Sequence, residues 1–433
     1  MSFLPFLYTL LSRIFIPFFL LFFGSKTKNH KELQGFLPKV TETEREVIWI
    51  HALSVGEIAA IKPIVDELRK SFKNPVIYLS VATAAGYKNA QKASFYDYLS
   101  YIPLDNPPYI HQALKRINPS LVIITETGFW LNMLTVLQKK NIPAYLLHGR
   151  ISERSMKRYL AFRGFFCGIL DKFELLIAKS ELQRDNFLDF GLSDEKVLYL
   201  GDSKIDFLVT ATQDEISRFR ELFEVNNTKV LVAGSTHEGE EEIILGIFNE
   251  IKEEISTGLT LIIAPRRIER TKEVVEECNK QQIPFLLRSE IQQKHQNESS
   301  RTKSRDKDRV FILDTVGELK TVYGLADLVF IGRSLFAPGG GHSALEPAIE
   351  GKFSLFGPYF SYNIEDGERI EKIGGAKQVA NIDELKNEIK KFLQEPPKGY
   401  HENLIDFFAK ERGASKRIVE KIRSEKTGVR RQE

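Results

Sequence analysis

The sequence predicts an α/β protein of two doubly wound domains, each a parallel sheet covered on both faces. Short, apolar, β-rich runs alternate with helical stretches from Val47 onward, as expected of buried parallel strands joined by crossover helices. The alternation breaks near Ile205 to Asp214 and then restarts. With 433 residues, the chain is long for one domain and suits two.

The first series of runs is VIWI (47–50), PVIYLSV (75–81), LVIIT (121–125), IPAYLL (142–147), LLIA (175–178) and VLYLG (197–201). Between them Glu57 to Ser71, Leu131 to Lys140 and Glu181 to Phe190 read as helices. The second series is KVLVAG (229–234), LTLIIAP (259–265), VFILD (310–314), DLVFIG (327–332) and FSLFG (353–357). The domain reading is therefore an N-terminal anchor over 1–24, domains over 46–205 and 214–400, and a C-terminal helix and tail over 401–433. That last helix reads as one amphipathic stretch from Leu404 to Ile422, and the polar run from Ser289 to Arg309 reads as a surface loop.

The N-terminus, FLPFLYTLLSRIFIPFFLLFF from Phe3 to Phe23, is long enough to cross a bilayer. Arg13, Pro5 and Pro17 interrupt it, and no small-residue cleavage site follows. Lys26, Lys28 and Lys31 mark the following side as cytoplasmic. The segment reads as an anchor that spans once or lies in the interface, with a buried core helix as the alternative. A net charge of +3 does not suggest a nucleic-acid protein. The two cysteines, Cys167 and Cys278, offer neither a disulfide framework nor zinc-ligand spacing and suit a reducing compartment. There is no GxxxxGK[ST], HExxH or GxSxG motif.

In open α/β sheets ligands bind outside the carboxyl ends of the strands, so polar residues after each apolar run are the candidates. HALSVGE (51–57) places Glu57 at a helix start, where an acid also complements the helix dipole. TETGFW (125–130) presents Glu126, and GDSKID (201–206) offers Lys204, either a partner for developing negative charge or a solvated lysine. HGRISERS (148–155) opens a basic stretch with Arg150, Arg154, Lys157, Arg158 and Arg163, read as a solvated face or as a patch for phosphate or anionic lipid. In the second domain, GSTHEGEEE (234–242), APRRIER (264–270) and DTVGELK (314–320) follow strands, as does the glycine-rich GRSLFAPGGGHSALEP (332–347). Amides at such helix starts attract phosphate, and Arg266 with Arg267 would make a clamp. The acids at 240–242 read as first-turn caps, and Asp306 and Asp308 as solvated charge in the polar loop.

Taken together, these segments resemble the Kdo transferase family, enzymes that move 3-deoxy-D-manno-octulosonic acid (Kdo) from CMP-Kdo onto the lipid A precursor. The likeness runs from the anchor to about residue 375 and rests on HALSVGE, RISERS, GSTHEGEEE, APRRIER, DTVGEL and the stretch from SLFAPGGGHSALEP to FGPYFSYN. It implies a GT-B fold of two Rossmann-like domains facing a cleft, and inverting, metal-independent transfer with CMP-Kdo as donor and no cofactor. Lipid IVA would be the acceptor, the setting lipopolysaccharide biosynthesis, and the place the cytoplasmic face of the inner membrane. By position, Glu57 matches the family's proton acceptor, and Glu126 and Lys204 match residues assigned to transition-state stabilisation. Pro265 and Arg266 match one CMP-contacting pair, Val316, Gly317 and Glu318 a second segment, and Ser343, Ala344, Leu345 and Glu346 a third. The chain departs from the pattern at Gly128, where the family usually has an acid, at His148 (Asn), Val316 (Met), Arg333 (Gly) and Ser343 (Asn). Two other readings remain open: a GT-B enzyme using another nucleotide sugar on a lipid-linked acceptor, and a non-catalytic, membrane-tethered nucleotide-sugar binder.

Overall fold

Residues 3–23, 29–42, 44–52, 55–291, 309–361 and 364–429 are described by the computed structural model. The chain forms two compact units, one from Met1–Phe207 with Glu411–Glu433, the other from Leu208–Lys410.

The sheet of the N-terminal unit contains β1 (Val47–Ala52), β2 (Val76–Val81), β3 (Tyr98–Tyr101), β4 (Leu121–Thr125), β5 (Ala144–Gly149), β6 (Leu175–Ala178) and β7 (Val197–Leu198). Their order is β3-β2-β1-β4-β5-β6-β7, and every pairing is parallel. Successive strand side chains point to opposite faces, so each apolar run feeds two cores. Val47 and Trp49 enter one, with Tyr78 and Ile124. Ile48, Ile50 and Ala52 enter the other, with Leu79 and Ile123. A strand buried on both sides has to be continuously apolar, which is why these runs stood out.

Five helices matter to this unit: α1 (Phe3–Phe23), α2 (Val55–Ser71), α3 (Pro107–Ile117), α4 (Leu131–Lys139) and α5 (Ser203–Phe207). Proline opens α3 after Asn106, where its missing N–H costs nothing. Asp105 accepts from the amides of Asn132 (3.1 Å) and Met133 (2.8 Å), satisfying two orphan donors of α4. Polar contacts bind α1 to the same place. Tyr8 donates to Asp105 (2.8 Å), Asn106 Nδ2 to the Ser12 carbonyl (3.0 Å), and Asn132 Nδ2 to Ser12 Oγ (2.9 Å). Among the described residues, no helix is long and apolar enough to cross a membrane.

The second unit repeats the plan with β8 (Lys229–Thr236), β9 (Leu259–Pro265), β10 (Phe285–Leu287), β11 (Arg309–Ile312), β12 (Leu328–Ile331), β13 (Phe353–Phe356) and β14 (Ala376–Gln378). The order is β10-β11-β9-β8-β12-β13-β14, again wholly parallel. Helix α6 (Glu240–Ile251) follows β8. Of the polar run read as a loop, residues 292–308 lie outside the described residues, Asp306 and Asp308 among them.

The C-terminal tail differs from its sequence reading. It is two helices, Tyr400–Glu411 and α7 (Ala414–Val429), broken at Gly413, whose φ of +80° favours glycine. Helix α7 belongs to the N-terminal unit, where Ile418, Val419 and Ile422 complete the core that contains Ile48 and Ile50.

Candidate active site

In each unit the chain leaves its first strand for the other half of the sheet at a switch point, between β1 and β4 and between β8 and β12. Loops diverge there and leave a crevice at the carboxyl ends of the strands.

In the N-terminal unit Glu57 lies in the first turn of α2, just beyond β1, and is only 4% exposed. The Thr125 hydroxyl, at the end of β4, donates to its Oε2 and also lies 3.1 Å from the His51 carbonyl. Glu126 follows with φ +56°, and its amide donates to the Leu147 carbonyl. Its carboxylate meets Arg150 through one oxygen, Oε2, which lies 3.0 Å from both Nε and Nη2, a charge-assisted contact that draws the side chain toward the guanidinium. Lys204 sits in α5, its amide donating to Asp202 (2.9 Å). Ser203 beside it is buried and ties α5 to the Ala60 carbonyl (3.1 Å) and to His148 Nε2 (2.7 Å).

His148 shows how these groups stand together. Burial drives its pKa down to about 4, with Lys204 and Lys179 pushing the same way and Glu126 opposing. Thus Glu126 and Lys204 act on one buried imidazole, neutral at physiological pH. His51 is likewise buried and lowered to about 4, its Nδ1 3.1 Å from the Ser80 carbonyl. Gly128 stands where a Cβ would come within 2.2 Å of the Ile124 side chain, so the acid usual in the related pattern does not fit this backbone. The basic stretch divides: Arg150 is taken by Glu126, while Arg154, Lys157, Arg158 and Arg163 are exposed.

In the C-terminal unit the nucleotide candidates stand at the carboxyl ends of neighbouring strands. Pro265 ends β9, and the Arg266 amide donates to the Thr236 carbonyl (3.1 Å) while its side chain is exposed. Beyond β11, Val316 is 85% exposed and Gly317 has φ +87°. Glu318 accepts from Arg288 (2.7 Å) and from the Thr315 hydroxyl. Beyond β12, Ser343 is half-buried, Ala344 and Leu345 are buried, and Glu346 is on the exposed side of its short helix. Arg266 acts on both His342 and Glu346, so the structure brings the first and third segments together electrostatically. The glycine-rich loop is held by shape: Gly341 has φ +68°, and a Cβ there would lie 2.1 Å from the Phe360 ring.

Sequence reasoning missed one organising residue here. Glu240, read as a first-turn cap, is 1% exposed and accepts from four backbone amides: His237 (2.9 Å), Arg333 (2.7 Å), Ser334 (2.8 Å) and Leu335 (3.1 Å). It locks the loop after β8 to the loop after β12. These four amides are therefore already satisfied by the protein itself. His237 and His342 meet at 3.2 Å between Nε2 atoms, with rings tilted by 22°. One nitrogen donates to the other, so the contact holds one proton. No pattern in THEGEEE marks Glu240 out from Glu241, which pairs with Arg270 (2.7 Å), or Glu242. Thr125 was equally hidden, since a threonine ending an apolar run reads as strand.

Comparison with known proteins bears on the whole chain. Residues 28–207 match a family model described as 3-deoxy-D-manno-octulosonic-acid transferase (kdotransferase). A bifunctional glycosyltransferase/methyltransferase of Fusobacterium nucleatum is 29% identical over 423 residues, covering 96% of this chain, and the chain spans 63% of that protein's length. The 3-deoxy-D-manno-octulosonic acid transferase of Haemophilus influenzae is 31% identical over 355 residues, 79% of each chain. Among solved structures, UDP-GlcNAc 2-epimerase from Neisseria meningitidis, bound to UDP-GlcNAc, covers 88% of this chain and 100% of its own at a TM-score of 0.59 and 13% identity. A glycosyltransferase from Rickettsia africae covers 88% and 99% at 0.51 and 11% identity. These likenesses in structure show a shared GT-B-like fold of two parallel-sheet α/β domains. With the Haemophilus relative above 30% identity over 79% of each chain, the chain belongs to the 3-deoxy-D-manno-octulosonic acid transferase family of glycosyltransferases.

Proposed function

We propose that this protein transfers Kdo from CMP-Kdo to a hydroxyl of the lipid A precursor, lipid IVA, with inversion and without a metal ion or cofactor. The observation that carries the reading is the buried Glu57 carboxylate at the β1/β4 switch point, oriented by Thr125, in the unit that matches the Kdo transferase model. A sugar hydroxyl is a poor nucleophile until a base accepts its proton as the new bond forms. Glu57 takes that proton. The oxygen attacks the anomeric carbon from the face opposite the phosphate, the bond to CMP breaks, and the electron pair leaves on the phosphate oxygen. One direct displacement inverts the centre, the logic of inverting glycosidases. Glu126 and Lys204 stabilise charge in the transition state, and Glu126 keeps its direction through Arg150. Pro265, Arg266, Val316, Gly317, Glu318, Ser343, Ala344, Leu345 and Glu346 hold CMP.

The acceptor is a lipid, and α1 supports attachment in the plane of the interface at the cytoplasmic face of the inner membrane. Phe6, Ile14, Phe15 and Phe18 are each more than half exposed (53–61%). Helix α1 is fastened to Asn106 and Asn132, at the starts of helices that follow β3 and β4. That is the same edge of the sheet on which Glu57 and Glu126 lie, so a lipid headgroup held there need not leave the bilayer.

The test is Glu57→Gln, assayed with CMP-Kdo and lipid IVA by mass spectrometry of the product. Transfer is expected to fall about 100-fold or more, the size of a lost general base, with CMP affinity unchanged by calorimetry. Near-normal turnover would remove Glu57 from the chemistry.

A further inference from the structure

We propose that the groove enclosed by α1, α3 and α4 binds the phosphate headgroup of an anionic bilayer phospholipid, distinct from the acceptor. This rests on the membrane-attachment part of the reading above. The groove has a volume of about 300 Å³, and its lining joins two chemistries. Phe6, Leu10 and Val136 make an apolar wall, while Arg13, His111 and Lys139 bring three basic groups from three different helices to its rim. All three basic residues are exposed.

Among the described residues that line the groove, every ionisable side chain is basic. The charged groups acting on the His111 ring are Lys140, Lys115, Lys139 and Arg13, all cations. The nearby acid, Asp105, lies beneath the groove, 5% exposed, with its oxygens taken by Tyr8 and by the amides of Asn132 and Met133. Uncompensated cations beside an apolar wall suit a ligand with an anionic head and an alkyl body. The exposed face of α1, with Phe15 and Phe18, would enter the acyl region next to it. The groove starts at the catalytic edge, where Pro107 and Asn132 line it, and only its Lys139 end lies away from that edge, the end at which a phospholipid other than the acceptor would sit. Lys139 is the last residue of α4, about 12 Å along that helix from its start at the catalytic edge, at about 1.5 Å per residue.

The test uses the full chain in flotation with phosphatidylcholine vesicles, with and without phosphatidylglycerol. The wild type should prefer the anionic vesicles. The R13Q/H111Q/K139Q variant should lose roughly 25-fold of that preference, at roughly fivefold for each permanent cation at the surface. K115Q/K140Q removes the same permanent charge without touching the groove lining and should lose clearly less. Equal losses would reduce the effect to a diffuse field and overturn the site. Thr135→Phe narrows the groove without altering charge and should also lower the preference; an unchanged preference overturns the proposal. Displacement of phosphatidylglycerol by lipid IVA would reassign the groove to the acceptor. A vesicle-free dimer that Phe15→Asp splits would show that a second copy covers this face. Thermal melts establish that each variant is folded. Calorimetric CMP binding and transfer to detergent-dispersed lipid IVA are read in parallel. Wild-type lipid preference without transfer would count against the transferase reading alone, and transfer without lipid preference against the groove alone.

Discussion

Glu126 holds a left-handed backbone conformation that non-glycine residues seldom adopt. What keeps it there is local: its amide and carbonyl are both bonded, to Leu147 and Arg150, and one of its carboxylate oxygens meets the Arg150 guanidinium. Arg150 is 43% exposed, so the pair adds little to stability, below about 1 kcal/mol. Its contribution is direction. Arg150→Ala should leave the thermal melt nearly unchanged while lowering kcat for transfer by about tenfold or more, in the range of a displaced electrostatic contact. Glu240 behaves oppositely. Glu240→Gln turns an N–H group toward amides that need an acceptor, and buried donors left unmade should cost about 2–3 kcal/mol. Urea unfolding should report that loss together with weaker CMP binding, because the loops after β8 and β12 come apart. The sequence marked Glu57, Glu126 and Arg266 because they follow strong strand signals. It could not mark Glu240, three of whose four amide partners lie 93, 94 and 95 residues away in the chain.

At the level of elements, legibility followed burial. The central strands were plain because both faces are covered and every residue is apolar. Three strands went unread: β3, β10 and β14, with the sequences YLSY, FLL and AKQ. All three are edge strands with mostly half-buried side chains, and an edge strand needs no continuous apolar run. The tail's sequence predicts a helix but not its place in the first unit, since nothing in an amphipathic stretch says which sheet it covers. Two acids fix its return. Glu411 accepts from Tyr199 (2.6 Å) and the Asp202 amide (2.9 Å), and Asp206 accepts from the amides of Gly413 and Ser415, both at 2.7 Å. These contacts bracket Lys204. Ile418→Ala, at a fully buried site, should cost about 2–5 kcal/mol in a denaturant melt. Asp206→Asn should lower transfer more than it lowers stability, because it loosens the segment that places Lys204.

For the molecule as a whole, the buried histidines set a pH limit. His51 and His148 fold with pKa values near 4, against an ordinary value of 6.5. The unfolded chain therefore binds protons below pH 6.5 that the folded chain refuses down to about 4. Stability is fully present above 6.5 and falls as the pH drops through that window, by roughly 1.4 kcal/mol per pH unit for each histidine. His148 offers a clean test, since asparagine is the residue that the family resemblance expects there. An asparagine can keep a hydrogen bond to Ser203 and has nothing to titrate. His148→Asn should leave transfer at pH 7.5 largely intact. Between pH 6.5 and 5.0 the wild type should lose roughly 2 kcal/mol more than the variant in urea melts. Parallel curves for the two proteins would mean that His148 is already charged in the fold, and that Glu126 outweighs both burial and the two lysines.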